Sequence, residues 1–580
     1  MGWGCLSPRN AKEQLHVNTL IMLSTSVSKH VYVWSCTCSI ASCSSLLLQV
    51  LSRHQLAAAI KACSTTRDPV ALIQQHVSSM DAFTLPGAIF KLSKLRCREQ
   101  QPYAACLQSY LQFAAADKPR NMSNVVYALC LAPAMIRQHH QATVKQQLLP
   151  AFLQQLSAAN AQDISNVLYG LAVSGQQLGG NQLQLMLGVF VAMMQQAKPQ
   201  AVSNMLWAVA TMGQRVPAEQ LQHILGAFIG MLQHAKPQEV SNMLWAVATM
   251  GQRVPAEQLQ HILGAFIGML QHAKPQEVSN MLWAVATMGK QVPAEQLQHL
   301  LAAFCGMGRQ CKPQEVSNAL WACAKLGFLP EQLLAAPGLV QQLQPDTPQH
   351  LANAAWACGQ LGHRDEQLMG ALLAGVKKRL GAVCDSSSNR GFNSQELCKL
   401  CWVVAVLDLQ QHAQQVLQLA QACSSMWGSS MVAEDLQQLW QVHTWLLDFQ
   451  LAGGQGLQGS LTEQQLQQCN AGWQQQMYAT LKQPASQFQR SVFAAVQQLP
   501  DAWRQQPEME QLSVGRDGVT PDGALLLGIA GRTAAGVPVA VEADGPWHCR
   551  RPDGGADRSN AVQEQGPGSA GLQPGQCAQA

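Results

Sequence analysis

An asparagine recurs at Asn204, Asn242, Asn280 and Asn318, always 38 residues after the last. A threonine follows the first three at Thr211, Thr249 and Thr287, and a lysine precedes all four at Lys198, Lys236, Lys274 and Lys312. A carboxamide carries both a donor and an acceptor and can pair with the edge of a nucleic-acid base. A hydroxyl can do the same, and a row of ammonium groups can follow the phosphates of a strand. One such set per repeat could hold one base of an unpaired strand per repeat. The alternative use of the same asparagines is an amide ladder that joins adjacent repeats inside the protein.

A second group of chemically capable residues lies near the C-terminus. Asp522, Glu542 and Asp544 have the outline of a metal-dependent nuclease motif, in which two carboxylates hold a divalent cation and a lysine follows. Here Asp544 stands where that lysine would be. Three acids without a cation suit a phosphodiester poorly, and Asp544-Gly545-Pro546 also reads as a tight turn ending a strand. The chain has no phosphate-binding glycine loop, no kinase motif set and no nucleophile paired with a base. The expectation is a protein that is not an enzyme, with these three acids as its nearest approach to a catalytic set, and with no cofactor. Cys398 and Cys401 have the spacing of a metal pair, but no second pair stands at a suitable distance. They read as two core thiols one helical turn apart, and no metal site is expected.

The elements that must position the asparagines are repeats. Residues 198–235 and 236–273 differ only at Ala201 against Glu239, and Trp207, Trp245, Trp283 and Trp321 keep the same 38-residue interval. A period of this length marks a stacked repeat protein. In the unit from Lys236, Pro237 and Glu239 suit the first turn of a helix. That helix is predicted to run to about Met250 and to stop at Gly251. A second helix begins around Val254-Pro255-Ala256-Glu257, with Leu259, Ile262, Leu263, Phe266, Met269 and Leu270 as its apolar stripe. Gly264 and Gly268 are expected to permit close approach of a neighbour.

At about 100° per residue, Val240, Leu244, Val247 and Ala248 share one face of the first helix. Glu239, Asn242, Ala246 and Thr249 share the other, with Trp245 at the boundary. The first face should pack on its own second helix. The other is either the seam with the next repeat or the lining of a groove. The recurring ring is expected to fill the gap between hairpins.

Tyr169, Tyr127 and Phe90 continue the aromatic series upstream, and Trp356, Trp402 and Trp440 continue it downstream. The fold class is therefore mostly α: an α-solenoid of about ten helical hairpins over residues 56–450. Residues 451–484 read as a Gln-rich helical linker, 485–556 as a small separate domain and 557–580 as a disordered tail. Residues 1–55 read as a transit peptide or disordered leader. The first 67 residues hold a single acid, Glu13, against Arg9, Lys12, Lys29, Arg53, Lys61 and Arg67, a composition that organelle-targeting segments share. Charged residues make up 12% of the chain and the net charge is +4, so bulk charge alone does not point to nucleic acid. No run approaches the length of a membrane span. The nineteen cysteines have no framework spacing and read as reduced thiols in an intracellular core.

The hairpin with Ser-Asn-x-Leu-Trp-Ala-x-Ala-x-x-Gly resembles the octotricopeptide repeat family of green algal organelles, most closely at Leu320-Trp321-Ala322-Cys323-Ala324-Lys325-Leu326-Gly327. The C-terminal stretch Val541-Glu542-Ala543-Asp544-Gly545-Pro546-Trp547-His548 resembles the RAP domain, an RNA-associated module found after such repeats and in FAST-kinase-like mitochondrial proteins. Its motif residues here would be Glu542, Asp544, Gly545, Pro546 and His548. The resemblance implies a small α/β fold like that of restriction endonucleases, opened by the amphipathic helix from Ser486. It stops at His548, so the domain is expected to be incomplete.

Together these readings lead to an expected organellar protein, in the mitochondrial matrix or chloroplast stroma, that holds single-stranded RNA (mRNA or rRNA) along a helical-repeat groove. It would act in RNA stability, processing or translation, alone or with other RNA-processing proteins. A protein-binding scaffold and a metal-dependent RNA nuclease are the two alternatives.

Overall fold

The computed structural model describes residues 52–481, apart from 290–291, 337–342, 344–346, 383–390 and 429–430, together with three short strands between 512 and 541. The expected leader, up to residue 51, and the expected tail 557–580 lie outside the described residues. The chain divides into two compact units, with the boundary between Met250 and Gly251.

Local chemistry sets the ends of each helix. Lys236 has extended backbone angles at the N-cap, Pro237 opens the helix Pro237–Thr249, and the Glu239 carboxylate accepts a hydrogen bond from the Lys236 N–H at 2.8 Å. Proline has no N–H to lose in the first turn, and the acid satisfies one of the unpaired donors there. The first helices end before left-handed glycines, with φ +67° at Gly213, +66° at Gly251, +62° at Gly289 and +68° at Gly327. Glycine enters this region without a Cβ penalty, which is why it stops the helix where the sequence places it.

In the first unit the first helices Thr84–Lys94, Pro119–Leu131, Ala161–Val173, Pro199–Thr211 and Pro237–Thr249 pack on one another in chain order. The helix Arg53–Ala62, from a preceding hairpin, packs on Thr84–Lys94. The second unit repeats this order with Pro275–Met288, Pro313–Leu326, Pro348–Gln360, Ser394–Val406 and Ala433–Asp448. Within each unit successive second helices, such as Gly180–Ala192 and Ala218–Gly230 or Ala256–Gly268 and Ala294–Met307, touch far less than successive first helices do. The first helices therefore form the tighter, inner layer of each unit.

Two kinds of side chain make that layer tight. Ser203, Ser241 and Ser279 are buried at the seams and bond the carbonyl three residues back, at 3.2, 3.2 and 3.1 Å. Ala208, Ala246, Ala284 and Ala322 are buried without any bulk to hold the neighbour away. The second helices supply the large core residues. Phe190 and Phe228 in the first unit, and Phe266 and Phe304 in the second, are fully buried. Each such side chain contributes about 1.5–3 kcal/mol.

Three expectations change. The face read for Glu239, Asn242, Ala246 and Thr249 divides: Glu239 and Ala246 are buried in the seam, whereas Asn242 is partly exposed and Thr249 exposed. Gly264 and Gly268 make no close approach, since a Cβ at either would meet nothing within 4 Å. Both glycines lie on the exposed side of the helix Ala256–Gly268. The segment expected as a helical linker does carry a helix, Glu463–Leu481, but that helix packs on Ala433–Asp448 as the second helix of a further hairpin. Buried Cys469 and Trp473 anchor it there.

Further along, β1 (Leu512–Ser513), β2 (Ile529–Arg532) and β3 (Pro538–Val541) form an antiparallel ladder in that order, with Ile529 opposite Val541 and Arg532 opposite Pro538. No helix among the described residues is long and apolar enough to cross a membrane.

Candidate nucleic-acid interface

Gln238, Asn242, Trp245 and Thr249 follow at intervals of four, three and four residues, which places them on one face of their helix. Gln238 and Thr249 are exposed, and Asn242 and Trp245 are partly exposed. The same four-residue stripe is Gln200, Asn204, Trp207 and Thr211 in the preceding helix of the first unit. In the second unit it is Gln276, Asn280, Trp283 and Thr287, then Gln314, Asn318, Trp321 and Lys325. A helix of this length carries its stripe over about 20 Å.

The asparagines do not form a continuous ladder. Asn166 Nδ2 donates to Asn124 Oδ1 at 3.5 Å, and Gln162 donates to Asn166 Oδ1 at 2.8 Å. Among the described residues, the side chains of Asn204, Asn242, Asn280 and Asn318 meet no hydrogen-bond partner, and neither do those of Thr211, Thr249 and Thr287. Their donors and acceptors face solvent on the inner layer, open to a ligand.

The rings form rows. In the first unit the centroids of Phe90 and Tyr127 lie 6.3 Å apart, Tyr127 and Tyr169 5.9 Å, Tyr169 and Trp207 4.9 Å, and Trp207 and Trp245 6.5 Å. In the second unit Trp283 and Trp321 are 6.2 Å apart, and Trp321 and Trp356 6.5 Å. The planes within these pairs differ by 23–34°. Such pairs add about 0.5–1.5 kcal/mol each beyond the area they bury. The expectation that the rings fill the gap between hairpins holds only in part. Phe90 is 41% exposed, and Tyr127, Tyr169, Trp207, Trp245, Trp283 and Trp321 are partly exposed, whereas Trp356 is only 4% exposed. A ring at the edge of the seam rests on its neighbour and keeps its rim in solvent.

Lys198, Lys236, Lys274 and Lys312 are exposed at the N-caps, beside the stripes at one end of the first helices. The acids next to them face inward. Glu239, Glu277 and Glu315 are 9, 8 and 6% exposed, and their carboxylates accept the backbone N–H of Lys236, Lys274 and Lys312 rather than pairing with the lysine ammonium groups. In the ten first helices from Thr84–Lys94 to Ala433–Asp448, among the described residues, the four stripe positions contain no aspartate or glutamate. They do contain Lys94 and Arg120 in the first unit, and Lys325 and Lys399 in the second. These four cations lie in the units that flank the near-identical repeats. The signal that could have found them is register, since they fall where threonine, glutamine, threonine and asparagine stand elsewhere.

Cys398 and Cys401 are buried in the helix Ser394–Val406, and the Cys398 Sγ lies 3.6 Å from the Cys423 Sγ. For Cys398 the neighbouring Cys423 thiol and burial, and for Cys401 burial, hold the group well above the usual thiol range. Neutral thiols are poor metal ligands, and among the described residues no cluster of three His, Cys, Asp or Glu groups could hold a metal ion. Asp522, Glu542, Asp544, Gly545, Pro546 and His548 lie outside the described residues.

No known family matches the chain, and no curated protein does. Among solved structures it is similar to a circular tandem repeat protein with novel repeat topology and enhanced subunit contact surfaces. The identity is 12%, with 74% of this chain and 86% of that chain covered and a TM-score of 0.15.

Proposed function

We propose that this protein binds single-stranded RNA along the inner layer of first helices and controls that RNA by occupying it. The observation that carries this reading is the stripe itself: partly exposed rings, amides without partners and no acid, bordered by lysines. Bases can stack on ring surfaces and pair with Asn204, Asn242, Asn280 and Asn318, while Lys198, Lys236, Lys274 and Lys312 neutralise phosphates. A strand held in this way is shielded from exonucleases and cannot form an inhibitory hairpin, which governs stability, processing or translation. The resemblance to octotricopeptide repeats and to the RAP domain supports an organellar setting, and the acid-poor first residues support import into mitochondrion or chloroplast. The RAP-like segment would add a small α/β module beyond the repeats.

Selection of randomised RNA by the purified chain tests the proposal. The near-identical repeats share every residue of the stripe, so the enriched sequences should contain a run of like bases. Enrichment without such a run would reject one-base-per-repeat reading for these units.

A polypeptide partner is the second reading, and the neutrality of the central Gln-Asn-Trp-Thr stripes favours it. Binding that is insensitive to salt would point to that partner.

A further inference from the structure

Lys325 occupies the stripe position that Thr287 holds in the preceding repeat. Its Nζ sits 5.9 Å from the Trp321 ring centroid and 5.0 Å from that of Trp356. The ammonium thus lies over two successive rings and closer to the second. The residue is exposed, and among the described residues no carboxylate pairs with it. The ring row changes character at this point. Trp283 and Trp321 are partly exposed, but Trp356 and Trp402 are buried. The indole N–H of Trp402 donates to Gln441 Oε1 at 2.7 Å, while the buried Trp356 Nε1 finds no acceptor among the described residues. A lysine cannot supply one, because an ammonium only donates. Cation–π attraction holds the ammonium over the rings, but rings do not neutralise its charge.

We propose that Lys325 closes the ligand-binding row of the second unit: its ammonium takes a phosphate of the strand lying against Trp283 and Trp321, and its stem keeps Trp356 covered. This rests on the RNA reading above. It adds an end to the site and assigns a residue to that end. A strand approaching from Trp283 meets ring, ring and then cation, and the next ring is shut away.

The test compares the full chain with Lys325→Thr and Lys325→Arg, using short homopolymeric RNAs and a salt series. Lys325→Thr installs the residue that the three preceding repeats carry, at a solvent-accessible position, so the fold is retained. The slope of log affinity against log salt should lose about 0.7 in the threonine variant, the share of one phosphate on a single strand, and keep it in the arginine variant. In the free threonine variant, acrylamide should quench additional tryptophan fluorescence, and adding Trp356→Phe should remove the gain. RNA binding by the parent chain with an unchanged slope in Lys325→Thr overturns the proposal and leaves the RNA reading standing. So does a weaker affinity without a change of slope, which would make Lys325 a structural residue only. An absence of gained quenching overturns the covering role. Failure of the parent chain to bind any of the homopolymers at low salt overturns both readings.

Discussion

The carboxylate of Glu277 accepts the backbone N–H of Lys274 at 2.8 Å, and Glu315 holds Lys312 in the same way at 2.7 Å. This geometry accounts for the single difference between the two nearly identical segments. Position 239 is a cap, buried in the first turn, and among the four units from Lys198, Lys236, Lys274 and Lys312 only the first, with Ala201, lacks it. Ala201→Glu should therefore stabilise the first unit by about 1 kcal/mol, and Glu277→Ala should destabilise the second by about the same amount. Urea unfolding of each variant measures this. A shift of less than a few tenths for both would mean that solvent caps these helices equally well. RNA affinity should not respond to either change through base pairing, because the side chain does not reach the stripe.

The exposed glycines of the second helices offer a stabilising change. A Cβ at Gly226 or Gly264 meets nothing within 4 Å, and neither residue has a positive φ. Alanine at either site should raise stability by about 0.5–1 kcal/mol, mostly by restricting the unfolded chain. Thermal unfolding checks this, and a lower midpoint would show that these glycines serve an approach that the free protein does not display.

Sequence and structure agree most closely where local chemistry decides. Pro237, Gly251 and the stripe Leu259, Ile262, Leu263 and Phe266 act through their own backbone or their own helical period, and their roles were readable from residue type and spacing. The exposure of Thr249 and Lys236 also followed from the pattern, whereas for Asn242 the pattern left base reading and an amide ladder both open. The ring rows did not, because whether Trp245 fills a gap or borders a surface depends on how near the adjacent first helix lies. Small seam residues such as Ser241 and Ala246 set that distance. The cap role of Glu239 was hidden for a similar reason. An acid three residues after the N-cap reads as favourable charge, and only the backbone shows that it turns inward. The segment 451–484 was read as helical, but its packing was not, because the anchors Cys469 and Trp473 stand among glutamines, too few to produce a period.

The asparagines can be sorted by substitution. Asn242 and Asn280 have no partner to lose, so alanine at either should change stability by less than about 0.5 kcal/mol. The same change at Asn166, which is bonded to Asn124 and Gln162, should cost about 1 kcal/mol. If Asn242 reads a base, Asn242→Ala should weaken binding of the selected RNA by about tenfold and relax preference at one position. A loss of stability at Asn242 as large as that at Asn166 would restore the amide-ladder explanation.

The lysine row makes a separate, electrostatic prediction. Lys236, Lys274 and Lys312 are exposed and form no ion pair among the described residues, so replacing all three with alanine should leave stability nearly unchanged. RNA affinity should fall, and the salt slope should flatten by about 0.7 for every phosphate that is no longer neutralised. Measured binding with the parental slope would remove these lysines from the interface while leaving the ring and amide stripe in place.

His443, whose ring centroid lies 5.1 Å from that of Trp440, gives the second unit a pH-dependent element. Its Nδ1 accepts the Leu457 N–H at 2.9 Å, and the residue is buried. A Cβ on Gly456, which has φ +60°, would run into the imidazole, so the loop can close only with glycine there. Desolvation holds the imidazole below its ordinary value, and its Nδ1 must stay unprotonated to accept the bond. The unfolded chain, with a histidine pKa of about 6.5, takes up a proton before the folded one does. The stability due to this site is therefore complete above about pH 6.5 and declines as the pH falls toward the depressed folded value. Denaturation midpoints measured between neutral and mildly acidic pH should show that decline, and His443→Gln should reduce it, because a glutamine oxygen can accept the same N–H at any pH. Gly456→Ala should be strongly destabilising at every pH. A variant series in which His443→Gln follows the parental pH profile without change would assign the acid sensitivity to other groups.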